Sequence, residues 1–222
     1  MGICSEDVKG ISAKYGADLC GIASIDRFTT APRGYHPCDI LPSCKSVVVV
    51  ACEFPRSSLS DPKNYTQVRN QLVKKLDNMA SLISKELKSR GTAAVAKRSI
   101  GPCEWDEDDR YRDDMSLIYA GVYAGLGKIG KNNLLINNKY GNMIWCSAVL
   151  TSEKLEADPL AEYEVCAKNC KICINSCPVG AIDGKLIKQL TCYDNAYTYR
   201  GGRQQIICWK CRTVCPNCFG IK

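Results

Sequence analysis

The sequence predicts an α/β (α+β) fold: a mixed helix-and-strand domain over residues 1–157, then a small cysteine-rich domain over 158–222. Three observations predict it. Val47 to Ala51 is an unbroken apolar, β-branched run. Asp61 to Gly91 carries apolar residues at steps of three and four. Eight of the sixteen cysteines fall in two groups beyond residue 165.

The N-terminal domain reads element by element. Ser5 to Tyr15 predicts a first helix, with Ser5 as its cap and Val8, Ile11 and Tyr15 on one face. Asp18 to Ala23 predicts a short buried strand. Arg27 to Pro42 holds three prolines and the only histidine, His36, and predicts a long irregular segment. Val47 to Ala51 predicts a central strand. Asp61-Pro62 opens the strongest helix, because Asp caps and Pro suits the first helical position. Its stripe of Tyr65, Val68, Leu72, Leu76, Met79, Ile83 and Leu87 is a core face, and Gly91 stops it. Thr92 to Ala96 predicts another strand. The acidic stretch Gly101 to Asp114 predicts a surface loop, and Met115 to Ala124 a helix. Leu134–Ile136 and Met143–Leu150 predict the arms of a hairpin around an Asn137–Gly141 turn. The charged Glu153 to Glu164 marks the domain boundary.

The cysteines carry the chemistry. Cys166, Cys170, Cys173 and Cys177-Pro178 form one run; Cys192, Cys208, Cys211 and Cys215-Pro216 form the other. Eight thiolates suffice for two four-iron cubanes. In two-cluster ferredoxins the cysteine before proline ligates the other cluster. That rule assigns Cys166, Cys170, Cys173 and Cys215 to one [4Fe–4S] cluster and Cys177, Cys192, Cys208 and Cys211 to the second. The C-terminal domain is therefore expected to be ferredoxin-like. Zinc is the rival, since paired C-x2-C units also make zinc ribbons. A zinc ribbon needs neither a repeated C-x3-C-P nor a third cysteine in one loop. Cys20, Cys52 and Cys146 lie in strand-like segments and read as small hydrophobes. Cys38 and Cys44 read the same way, with a second metal as the alternative.

Charge and composition bound the rest. The N-terminus shows no signal peptide, and no apolar stretch approaches the ~18 residues of a membrane span. A cytoplasmic protein without membrane contact is expected, where many cysteines point to metal more than to disulfides. The net charge of +7 treats every cysteine as neutral. Two clusters of about −2 each would leave roughly +3. No Lys/Arg block is long enough to track phosphates, so nucleic acid is not expected.

Gly125-Leu126-Gly127-Lys128-Ile129-Gly130 satisfies G-x-G-x-x-G. A dinucleotide turn needs a strand before it and a helix after it. Here a helix precedes and strands follow, so that reading fails. Glycines still admit close approach of a bulky group. Gly125, Gly127, Lys128, Gly130 and Lys131 are thus the candidate cofactor-binding residues.

The stretch Tyr123 to Ile136 resembles the AGLGxxGKNxLLI segment of the epoxyqueuosine reductase and reductive dehalogenase superfamily. Gly16 to Ala23, Leu41-Pro42, Val47 to Ala51, the Ala148–Thr151 ending and Cys192-Tyr193 are similar to that family too. The resemblance implies a nitroreductase-like α/β domain that carries a corrinoid (cobalamin) with no histidine ligand, beside a two-cluster ferredoxin domain. It further implies an oxidoreductase in which electrons pass from an external ferredoxin- or flavodoxin-type donor through the clusters. FMN is the second cofactor choice. The alternative function is a non-catalytic electron carrier or reductive activator, serving a partner such as a corrinoid protein. Two departures stand out. The sequence lacks the helical-repeat extension usual after the clusters of epoxyqueuosine reductases. Asp113 and Asp114 do not fall on the motif of that family's acidic proton donor.

Overall fold

The computed structural model describes residues 2–101 and 103–221. Its centre is a four-stranded antiparallel sheet, covered on both faces. The chain begins with α1 (Ser5–Lys14), β1 (Leu19–Ser24), α2 (Pro37–Ile40), β2 (Ser46–Glu53), α3 (Pro62–Ser89) and β3 (Ala94–Lys97). A small ribbon, β4 (Glu104–Trp105) with β5 (Tyr111–Arg112), precedes α4 (Leu117–Tyr123). Then come β6 (Lys128–Ile129), β7 (Leu135–Ile136) and β8 (Ile144–Thr151). The cysteine-rich part holds α5 (Ile172–Ser176), α6 (Gln189–Ala196), the hairpin β9 (Tyr197–Arg200) with β10 (Arg203–Ile206), and α7 (Lys210–Thr213).

The sheet order is β1-β2-β8-β3. The valine run explains why β2 lies inside it. Val48 and Val50 point into a core formed with α1 and α3, through Val8, Ile11, Leu76, Met79 and Ile83. Val47, Val49 and Ala51 point the other way, against Ala120, Ala124, Leu126 and Leu135. Coverage on both faces removes the polar alternation of a half-exposed strand. Every residue of β2 except Glu53 is buried.

The long helix α3 follows its sequence signals. Asp61 caps it by accepting the Asn64 N–H at 2.9 Å. Gly91 just beyond its end has φ +85°, a left-handed conformation that suits glycine. Its 28 residues span about 42 Å. Tyr65, Leu72, Leu76, Met79, Ile83 and Leu87 are buried.

Several local expectations are corrected. The cap of α1 is Cys4, not Ser5; its N–H reaches the Asp7 carboxylate at 2.9 Å, which holds that carboxyl below its ordinary range. The acidic stretch 101–114 contains the β4–β5 ribbon. The Arg27–Pro42 segment contains α2, capped by His36, whose Nδ1 accepts the Cys38 N–H at 3.1 Å. Most consequentially, the expected hairpin does not form. The Asn137–Gly141 turn is present and closes on itself as a bridge. Its two arms, however, go to different sheets. β7 pairs with β6, while β8 fills the sheet between β2 and β3. Eight register pairs with β2 outweigh any pairing a two-residue β7 could offer.

The cysteine-rich part is anchored to the sheet layer. Ser46 Oγ accepts the Leu155 N–H at 3.0 Å. Asp158 accepts the Ile22 N–H at 2.8 Å and pairs with Lys9 at 2.7 Å. Ile206 and Cys218 are buried in the same core as α1 and α3. Replacing Ile83 by Ala should cost about 2–5 kcal/mol, since that side chain is fully buried. The exposed neighbour Lys85→Ala should stay within about 0.5 kcal/mol of wild type in the same urea titration.

Candidate redox site

The four thiols of the first group, Cys166, Cys170, Cys173 and Cys215, line one cavity of about 220 Å³. Two segments far apart in sequence bring them together, because α5 packs on α7. The thiols are close enough to feel one another: Cys173 and Cys215 are each pushed up first by burial, then by Cys166 and Cys170. In the second group, Cys192 is pushed up by burial, with Cys177 and Cys208 beside it. Cys211 is pushed up to about 11 by burial, near Cys192 and Cys208 and also near Cys173 of the first group. The two groups are therefore adjacent.

Backbone donors reach two of these sulfurs. The Lys131 N–H meets Cys166 Sγ at 3.5 Å, and the Ala181 N–H meets Cys177 Sγ at 3.3 Å. Among the described residues no three His, Cys, Asp or Glu side chains converge on a single-ion site. The first group surrounds a space instead of a point.

The glycine segment does a different job from the one its sequence suggests. A Cβ on Gly125 would lie 2.2 Å from the Pro159 carbonyl oxygen, and one on Gly127 would lie 2.3 Å from that of Ile136. At Gly130 the obstacles are the Ile136 and Asn132 side chains. These glycines admit the protein's own chain. The two lysines also face inward to the chain. Lys128 pairs with Glu164 at 3.1 Å. The Lys131 ammonium donates to the carbonyls of Ala167, Lys168 and Cys170 at 3.2, 2.8 and 3.0 Å.

A second cavity, of about 210 Å³, opens between α4, the β7–β8 region and Arg212. Its walls are mainly apolar: Leu117, Ile118, Leu134, Leu135, Ile144 and Trp145. Two buried polar atoms on lining residues, Ser99 Oγ and Asn142 Oδ1, have no hydrogen-bond partner among the described residues. Cys146 also lines it, and burial pushes that thiol up to about 12. The flanks of the glycine segment line this cavity; its glycines do not. Ser99, Asn142 and Arg212 carried no recognisable signal in the sequence.

Two residues before Ser99, buried Lys97 meets two half-buried aspartates. The Lys97 ammonium, 3% exposed, sits 2.8 Å from Asp113 and 3.0 Å from Asp114. The two acids diverge. Half-burial acts to raise Asp113, yet the bonds from Asp114, Lys97 and the Gly101 N–H hold it below the ordinary range. Burial and then Asp113 push Asp114 up. Of the remaining cysteines, Cys44, Cys52 and Cys218 are buried, and Cys4 is exposed. Cys38 Sγ lies 3.8 Å from the Cys44 carbonyl.

Comparison with known proteins adds the relationship. The chain is 26% identical over 207 residues to epoxyqueuosine reductase of Staphylococcus aureus, covering 82% of this chain and 50% of that one. It is 28% identical to the Leadbetterella byssophila enzyme, covering 96% and 79%. Its curated relatives are epoxyqueuosine reductases. The chain thus spans about half the length of the first of them. No protein-family profile matches it.

Solved structures show the fold. Epoxyqueuosine reductase of Bacillus subtilis, with a catalytic aspartate loop swung out of its active site, matches with TM-score 0.64 at 20% identity, covering 96% of this chain and 64% of that one. An epoxyqueuosine reductase bound to a modified tRNA stem loop matches with TM-score 0.63 at 21% identity, over 96% and 64%. A reductive dehalogenase, described with a B12-dependent mechanism, matches with TM-score 0.61 at 18% identity, over 90% and 27%. The tRNA-bound neighbour counts against the expectation of no nucleic acid. No helix among the described residues is long and apolar enough to cross a membrane.

Asp113→Asn should destabilise the protein by about 2 kcal/mol at pH 7, because Lys97 then keeps only one carboxylate. Asp113 is depressed in the fold, so its contribution is present above the ordinary carboxylate value of about 3.9 and lost below it. The gap between Asp113→Asn and wild type in urea midpoint should therefore close as pH falls below about 4.

Proposed function

We propose that the chain is an iron–sulfur oxidoreductase of the epoxyqueuosine reductase and reductive dehalogenase type. On this reading residues 158–222 form the two-cluster unit and residues 1–157 the domain that presents the reacting partner. One observation carries it: two adjacent groups of four thiols stand beside an apolar cavity with unpartnered polar atoms. The first group's space of about 220 Å³ is several times the ~30 Å³ share of a water molecule, which favours a polynuclear group over a single zinc ion. Cys166, Cys170, Cys173 and Cys215 would hold one [4Fe–4S] cluster; Cys177, Cys192, Cys208 and Cys211 would hold the other.

The clusters supply one-electron transfer, and a corrinoid, or failing that a flavin, would supply the bond-breaking chemistry. The residues prepare the site for both. Lys131 ties down the Cys166–Cys170 loop by its carbonyls, fixing where those sulfurs point. Asn132 and Asn142 hold the carbonyls of Cys211 and Arg212, each at 3.1 Å. The second cavity is below the 300–1,000 Å³ of pockets that enclose a ligand. Ser99 Oγ and Asn142 Oδ1 would be the polar contacts that this cavity offers such a cofactor. Gly125, Gly127, Gly130, Lys128 and Lys131 would support this seat by packing behind it. Burial and the neighbouring Asp113 raise Asp114, but it does not fall on the family's proton-donor motif, so no proton donor is assigned.

The carrier or activator reading would need no such cavity, and its two orphaned polar atoms favour the enzyme. The tRNA-bound relative makes RNA the substrate class to try first. A ferredoxin- or flavodoxin-type protein is the proposed donor, and the cytoplasm the proposed compartment.

Protein reconstituted without oxygen should hold about eight irons per chain and give a [4Fe–4S] resonance on reduction. Cys192→Ala should halve the iron. It should also keep cobalamin or FMN through desalting. A colourless, zinc-loaded protein would overturn the reading, and iron retained without either cofactor would favour the carrier.

A further inference from the structure

Arg212 is a buried cation without a carboxylate. It is 7% exposed, and among the described residues no ion pair includes it. Its hydrogen bonds are met by neutral groups: one guanidinium nitrogen donates to the Asn142 carbonyl, and the Tyr65 hydroxyl lies against it. Its planar head stands 5.6 Å from the Trp145 ring, and a second guanidinium, Arg69, stands 5.7 Å from the same ring. Among the described residues half-buried Arg69 makes no ion pair either, and its buried Nε has no partner. Two like charges share an apolar neighbourhood with no anion from a side chain. Buried charges persist when paired, and an unpaired one is costly.

The missing anion has an address. Arg212 directly follows Cys211 in α7. It also lines the second cavity. A [4Fe–4S] centre with four thiolates carries about −2 when oxidised and about −3 when reduced. We propose that Arg212 is the counter-cation of the cluster on Cys177, Cys192, Cys208 and Cys211. It raises that cluster's reduction potential and places a fixed positive charge between the cluster and the cavity. The inference rests on the two-cluster reading. Arg212 acts through the cluster, as a positioning and tuning residue. A cation stabilises the more negative, reduced state, so its removal moves the potential down. Burial keeps water and salt from screening the effect, unlike that of an exposed lysine.

The test is an anaerobic redox titration of reconstituted wild type, Arg212→Met, Arg212→Lys and the exposed control Lys210→Gln, followed by electron paramagnetic resonance. One of the two midpoints should move to more negative potential in Arg212→Met. Arg212→Lys keeps the charge but loses the planar head, and should restore most of the shift. The Lys210→Gln change should be smaller and should fade at high salt, while the Arg212→Met shift persists. Unchanged midpoints in Arg212→Met at wild-type iron content would overturn the inference. If Arg212→Met sheds iron, Arg212→Lys decides: a midpoint near wild type supports the proposal, and a fall at full iron content or a loss of iron there too overturns it. Wild type without iron would instead defeat the two-cluster reading itself, so the two failures are distinguishable.

Discussion

The structure depends on the fastening of the cysteine loops to the sheet layer. The Lys131 ammonium meets three carbonyls of the Cys166–Cys170 loop, and its own N–H meets the Cys166 sulfur. Side-chain amides continue the seam. Asn132 and Asn142 hold carbonyls of α7, and Asn217 holds that of Val165 at 2.9 Å. Gly141, at φ +61°, lets the turn approach Asn217 and Cys218 so closely that a Cβ would sit 2.1 Å from a carbonyl oxygen. Short cysteine loops have little core of their own. They borrow rigidity from a sheet buried on both faces.

That rigidity has an electrostatic consequence. Crowded, half-buried thiols resist ionisation: Cys173, Cys192, Cys211 and Cys215 are all pushed up, burial being the largest cause in each case. Without metal these groups are neutral at pH 7, which spares the fold their mutual repulsion. Loading a cluster must release their protons, so assembly and proton release are linked.

Much of this was legible in the sequence where the signal was local. The capped, periodic α3 and the valine run of β2 each announce themselves within one segment. Cysteine spacing is chain-local, and the expected grouping of Cys215 with Cys166, Cys170 and Cys173 agrees with the cavity that those four thiols line. What failed was non-local. Leu134–Ile136 and Met143–Leu150 have the pattern of hairpin arms, yet the choice of partner for β8 is made by β2, some 90 residues earlier. The glycines of 125–130 had the right pattern for ligand approach and meet the backbones of Pro159 and Ile136. Asp113 and Asp114 lie in a stretch expected to be a surface loop, and only the fold brings them to Lys97.

The distribution of charge ties these strands together. Residues 165–222 contain nine Lys/Arg and two Asp/Glu, a balance of +7 that equals the net charge of the whole chain. Residues 1–164 are therefore neutral in sum. The excess cations sit on the segment whose eight thiols would carry about −4 once two oxidised clusters are in place. Most are exposed lysines and arginines that solvent screens, so they act over the surface and weakly. Arg212 is buried, where screening fails and one charge acts more strongly than several outside. The basic C-terminal segment would thus offset the negative charge of the clusters proposed for it, before any partner is considered. An anionic partner, whether an electron donor or an RNA, would meet only what remains, roughly +3 spread over that face.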